Sequence, residues 1–67
     1  MPTFKDAVEF FDVEVIRETE FALYVDIDGE HHWIPKSQVD DESEVFGLGD
    51  EGTLKISSWI AQEKGLV

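Results

Sequence analysis

The chain has 67 residues, with 16 acidic against five basic side chains, a formal net charge of −11 and no cysteine. A chain this short holds one modest core, burying roughly 60% of the surface it exposes when unfolded, and the lack of cysteine excludes disulfide staples and Cys-type zinc sites and points to a reducing, cytoplasmic setting. The negative charge repels phosphate backbones and anionic membranes, yet a hydrophobic fraction of 42% is too high for a charge-driven disordered chain.

The opening residues Met1 to Asp6 lack the basic-then-apolar pattern expected of an export signal. No apolar run approaches the roughly 18 residues of a membrane span. One domain over residues 1–67 is expected. Thr3 is placed to cap a short helix, because Phe4, Ala7, Val8 and Phe11 recur at helical spacing and Asp6 occupies the capping-box position. The alternative is a first strand that begins near Val8.

From Phe11 to Arg17, Phe11, Val13 and Val15 alternate with Asp12 and Glu14, the period of a half-buried strand. Phe21, Leu23, Val25 and Ile27 repeat the pattern against Ala22, Tyr24 and Asp26, with Glu18-Thr19-Glu20 as the connecting loop. A three-residue loop would set Val15 opposite Leu23 and Val13 opposite Val25, leaving Ile16, Ala22, Tyr24 and Trp33 on the second face. Asp28-Gly29 is a two-residue hairpin turn that needs positive φ at both positions. It pairs Ile27 with Glu30, Val25 with His32, Leu23 with Ile34, Tyr24 with Trp33 and Asp26 with His31.

Pro35 lacks a backbone donor and so ends the third strand or confines it to an edge, and Pro35 to Val39 reads as a tight 3₁₀ turn. Asp40 to Asp50 is the longest irregular and most mobile stretch expected, with Val45, Phe46 and Leu48 plugging the rim of the core. Thr53 to Ile56 forms a short last strand. Ser57 or Ser58 then caps a final helix that runs through Lys64, stops at Gly65 and docks its Trp59 side on the sheet. The whole is an α+β domain: a small antiparallel meander of three to four strands with a C-terminal helix packed on it.

No constellation for catalysis, metal or cofactor emerges. General acid/base work needs paired acids held in a cleft with their pKa values driven apart, and so short a chain leaves the carboxylates, Asp40-Asp41-Glu42 and Asp50-Glu51 included, as a solvated surface. Asp26 to Glu30 fails the spacing of a calcium loop, whose glycine comes sixth and whose glutamate comes twelfth. His31 and His32 are adjacent on a strand, point to opposite faces and cannot chelate one ion. Tyr24 and Trp33, with Lys36, Ser37 and Gln38 following, compose an aromatic patch with one cation and polar donors, suited to an anionic ligand or a peptide. The competing expectation is that the helix led by Trp59 covers this face.

The segment His32-Trp33-Ile34-Pro35-Lys36-Ser37-Gln38-Val39 resembles a group of short, uncharacterised proteins from phages and bacterial mobile elements. The likeness extends to the strand at Val13 to Thr19, the turn at Asp28-Gly29 and the ending Trp59 to Leu66, about three quarters of the chain. It implies a phage or prophage origin and no particular activity. Trp33-Ile34-Pro35 to Val39 is also similar to the last turn of SH3-like barrels, which makes that architecture the alternative form of the meander.

Two functions are compatible with this reading. The first is a non-catalytic, acidic binding protein, phage-borne, that engages a basic, nucleic-acid-binding protein and does not bind nucleic acid itself. The alternative is a binder of small molecules or nucleotides through Tyr24, Trp33 and Lys36, at an oligomer interface. A strand edge near Pro35 or at Thr53 to Ile56 is available for self-pairing in a homo-oligomer.

Overall fold

The computed structural model describes residues 2–67. Four strands, β1 (Ala7–Glu18), β2 (Ala22–Ile27), β3 (Glu30–Pro35) and β4 (Glu51–Ser57), form one antiparallel sheet in the order β3-β2-β1-β4, followed by helix α1 (Ser58–Glu63). This is the α+β meander with a C-terminal helix that alternation and turn chemistry imply. No described helix is long and apolar enough to cross a membrane.

The Asp28-Gly29 hairpin has the expected register at all five of the expected pairs, and a sixth, Ala22 with Pro35, continues it. Asp28 and Gly29 adopt φ of 53° and 85°, and the Asp26 carboxylate accepts the Gly29 amide at 2.9 Å. A side chain at position 29 would have open space but a strained backbone, so glycine serves the turn conformation rather than a close approach.

The N-terminal residues form no helix: Thr3 and Phe4 are irregular and β1 begins at Ala7. Asp40, fully buried, accounts for the difference, because its carboxylate accepts the Phe4 amide at 2.7 Å and draws that segment out across the body of the protein.

β1 carries two irregularities that reset which side chains face the core. Between Phe10 and Val13 its pairing with β4 shifts, and Asp12 there takes φ of 57°. The bulge packs Phe10 against the core and leaves Phe11, expected inside, 68% exposed. A second shift between Val15 and Arg17 makes Ile16 the extra residue. Val15 therefore opposes Val25 rather than Leu23, Leu23 opposes Glu18, and Arg17 lies opposite Tyr24. The connecting loop is Thr19 to Phe21, one residue later than expected, and Phe21 is exposed.

Val13, Val15, Leu23, Val25, Ile34, Leu54 and Ile56 fill the inner side of the sheet, closed over by Val39, Val45, Ile60 and Ala61. Ser57 caps α1 by accepting the Ile60 amide at 3.2 Å, and Ile60 and Ala61 are its buried side chains. Trp59 points away and is 58% exposed, correcting the expected docking of its aromatic side.

After β3 the chain makes the expected 3₁₀ turn over Lys36–Gln38, and Val39 then bridges to Ile56 on β4. The acidic stretch continues along the outer edge of β4 as a substitute strand. The Asp40 amide donates to the Lys55 carbonyl at 2.8 Å and the Glu44 amide to the Thr53 carbonyl at 2.8 Å. Side chains accept the returning donors: Ser43 Oγ takes the Lys55 amide at 3.1 Å, and Glu44 Oε1 takes the Thr53 amide at 2.8 Å. The Thr53 to Ile56 edge is thus already covered, contrary to its expected availability for self-pairing. Val45 is fully buried and Phe46 packs on the core, as expected, whereas Leu48 is 63% exposed. Gly52, at φ 147°, is the residue that lets this stretch lie so close, since a Cβ there would come within 2.9 Å of Glu44 Oε1.

Candidate functional site

The outer face of β1, β2 and β3, away from the core, presents the aromatic pair. Tyr24 and Trp33 are direct cross-strand partners, and their ring centroids lie 4.7 Å apart at an interplanar angle of 36°. His31, beside Asp26, meets the Tyr24 ring edge-on at 5.4 Å. The Asp28-Gly29 turn explains the closeness of the pair. It makes Ile27 and Glu30 a hydrogen-bonded pair, so Tyr24 and Trp33 fall at a non-hydrogen-bonded position, where opposing side chains approach most closely.

Helix α1 does not cover this face. Tyr24 is half-buried and Trp33 remains 41% exposed, while α1 packs on the other side of the sheet through Ile60 and Ala61.

Lys36, Ser37 and Gln38 diverge from the pair. Lys36 Nζ donates to Glu18 Oε2 at 2.6 Å, and Glu18 Oε1 accepts the Leu48 amide at 2.9 Å. The hydrogen bond from Lys36, and after it that from Leu48, hold the Glu18 carboxyl below its ordinary pKa against a desolvation that acts the other way. Lys36 is thus the clasp between the 3₁₀ turn, the end of β1 and the acidic stretch. Gln38 Oε1 accepts from Ser57 Oγ at 2.5 Å and lines a separate shallow groove of about 350 Å³ beside Phe4, Lys5 and Trp59. Ser37 is exposed.

Other residues join the aromatic pair that sequence reasoning had not placed there. Arg17 is the β1 partner of Tyr24, is exposed and enters no ion pair among the described residues. One rung away, Glu14 is the partner both of Asp26 on β2 and of Glu51 on β4, so three carboxylates lie in a row across adjacent strands. Like charges directly opposite one another destabilise a sheet. The alternation of β1 marks Glu14 as outward-facing, but its two neighbours depend on registers set by the bulges.

Three of the remaining acids, Asp40, Glu44 and Asp50, are spent on backbone amides. Asp40 accepts from Phe4 and Glu42, and Asp50 Oδ2 accepts from Phe46 at 2.9 Å and Gly47 at 3.0 Å. Asp40 is fully buried rather than solvated, and these bonds, Phe4 first and Glu42 second, keep its pKa below the ordinary value. The row Asp26, Glu14 and Glu51, in which Asp26 also accepts the Gly29 amide, is the part of the outward acidity that lies beside aromatic faces that attract cations. The chain matches no known protein family, no curated protein and no solved structure.

Proposed function

We propose that this protein is a non-catalytic binding domain whose outer sheet face engages a basic protein partner, one whose own ligand is nucleic acid. The observation that carries this reading is the juxtaposition of the Tyr24–Trp33 pair, half-buried at Tyr24 and 41% exposed at Trp33, with the cross-strand carboxylate row Asp26, Glu14 and Glu51. A cationic side chain placed there gains from the aromatic faces and from the carboxylates together, and relieves the repulsion within the row. The net charge of −11 adds long-range attraction for such a partner. The likeness to short phage proteins supports a phage-borne setting in which the partner belongs to the host.

The second reading, a binder of nucleotides or other small anions, draws on Arg17 opposite Tyr24, since Lys36 is engaged by Glu18. Arg17→Glu separates the two. Binding of a basic nucleic-acid-binding protein, measured at low salt, should strengthen in this variant and weaken in Glu14→Gln/Glu51→Gln. Loss of binding in Arg17→Glu, accompanied by quenching of Trp33 fluorescence by nucleotides in the parent protein, would instead favour the anion reading.

A further inference from the structure

β3 has one neighbour in the sheet, β2, and its other edge is open. The hairpin register decides which backbone groups that edge presents. Glu30, His32 and Ile34 point their amides and carbonyls at β2, and the Lys36 amide continues the same parity by donating to the Phe21 carbonyl at 2.8 Å. His31, Trp33 and Pro35 therefore direct their backbone groups outward. No described hydrogen bond takes up the amides of His31 and Trp33. Pro35 falls where a donor would have pointed away from β2, so it costs the hairpin nothing and sets the limit of the open edge.

We propose that an extended, basic segment of the partner adds to this edge as a further strand, bonded to the backbone of His31 and Trp33, with alternate cationic side chains lying on the outer face. The proposal rests on the reading of the outer face given above and specifies how the partner is held. Strand addition takes its affinity from main-chain bonds and its selectivity from alternate side chains. Here the outer-face side chains next to the edge are His31 and Trp33, with Tyr24 and Asp26 behind them, so every second residue of the incoming strand meets aromatic faces and carboxylate. Asp28 and Glu30 add negative charge at the turn end, and β3 itself carries neither lysine nor arginine. A second copy of the chain fits this edge poorly, because it brings a like charge of −11. The opposite edge of the sheet is closed by the acidic stretch, so β3 is where an added strand can pair.

The test uses a terminally blocked synthetic peptide of alternating Lys and Val, added to the whole protein at low salt, with amide hydrogen exchange followed by NMR. The expected result is slowing of exchange at His31 and Trp33 by about tenfold or more, without comparable slowing on β4. A Glu-Val peptide should not bind. The Lys-Val peptide N-methylated at four consecutive central residues, which can donate from neither edge, should lose most of its affinity. If the methylated peptide binds as well as the parent and the His31 and Trp33 amides keep their exchange rates, strand addition is overturned while the basic-partner reading stands. If neither Lys-Val peptide binds, both fall. If those two amides are already protected in the protein alone and light scattering shows a dimer, the edge belongs to a second copy and the proposal is likewise overturned.

Discussion

Glu18 at the end of β1 and Lys36 at the start of the 3₁₀ turn stand 18 residues apart in the chain and meet at 2.6 Å. The same carboxylate holds the Leu48 amide with its other oxygen, so a single side chain joins the strand, the turn and the acidic stretch. Gly47 lies against it, where a Cβ would come within 3.2 Å of Glu18 Oε1.

The clasp makes stability depend on pH in a definite direction. The folded pKa of Glu18 lies below its unfolded value, so the native state binds fewer protons and gains stability fully above the unfolded pKa. That gain is lost as pH falls through the folded pKa. Urea unfolding of Glu18→Gln should show lower stability than the parent protein at pH 7 and a shallower loss of stability on acidification below about pH 5. Equal slopes in the two proteins would remove Glu18 from the acid transition.

Asp40 titrates in the same sense, with its cause in two backbone donors. Asp40→Ala leaves the Phe4 and Glu42 amides without their acceptor, and their hydrogen exchange should accelerate strongly relative to the hairpin. Asp40→Asn keeps one carbonyl oxygen and should restore part of the protection. Unchanged exchange at Phe4 in the alanine variant would show that the N-terminal segment is held by something else.

The inward and outward residues of the sheet should separate cleanly by mutation. Leu23→Ala removes a fully buried side chain and should cost about 2–5 kcal/mol in chemical denaturation. Phe11→Ser and Phe21→Ser remove side chains that are 68% and 76% exposed and should change stability by no more than about 0.5 kcal/mol. A large loss in Phe11→Ser would mean that the bulge at Asp12 does not turn this side chain outward.

Asp12 can be tested through its backbone. At φ 57° a β-branched side chain is strained, so Asp12→Val should destabilise by about 1–2 kcal/mol, whereas Asp12→Gly should be tolerated. Thermal melts of the two variants give the comparison directly. Equal behaviour would argue against a left-handed residue at this position.

What could be read along the chain was what neighbouring residues settle among themselves. Asp28-Gly29 dictated a turn and through it the whole β2–β3 register, Ser57 supplied the helix cap, and the alternation at Leu23, Val25 and Ile27 named one face of β2. Where two apolar residues adjoin, alternation has no preference for either, and there the pattern misleads. At Phe10-Phe11 and Trp59-Ile60 only the packing of the folded chain shows that Phe10 and Ile60 turn inward while Phe11 and Trp59 face solvent. At Val15-Ile16 a bulge makes Ile16 an extra residue and brings Arg17 opposite Tyr24.

The candidate site divides along the same line. The Tyr24–Trp33 pair follows from the Asp28-Gly29 turn and its local φ angles, and so was legible. Its surroundings were not, because Glu18 against Lys36, Glu14 between Asp26 and Glu51, and Asp40 beneath Phe4 are contacts between segments distant in sequence. A carboxylate in the sequence has the same composition whether it faces water or a buried amide. Only the folded chain, by closing the loops that bring donors to it, decides which acids hold the structure and which face solvent.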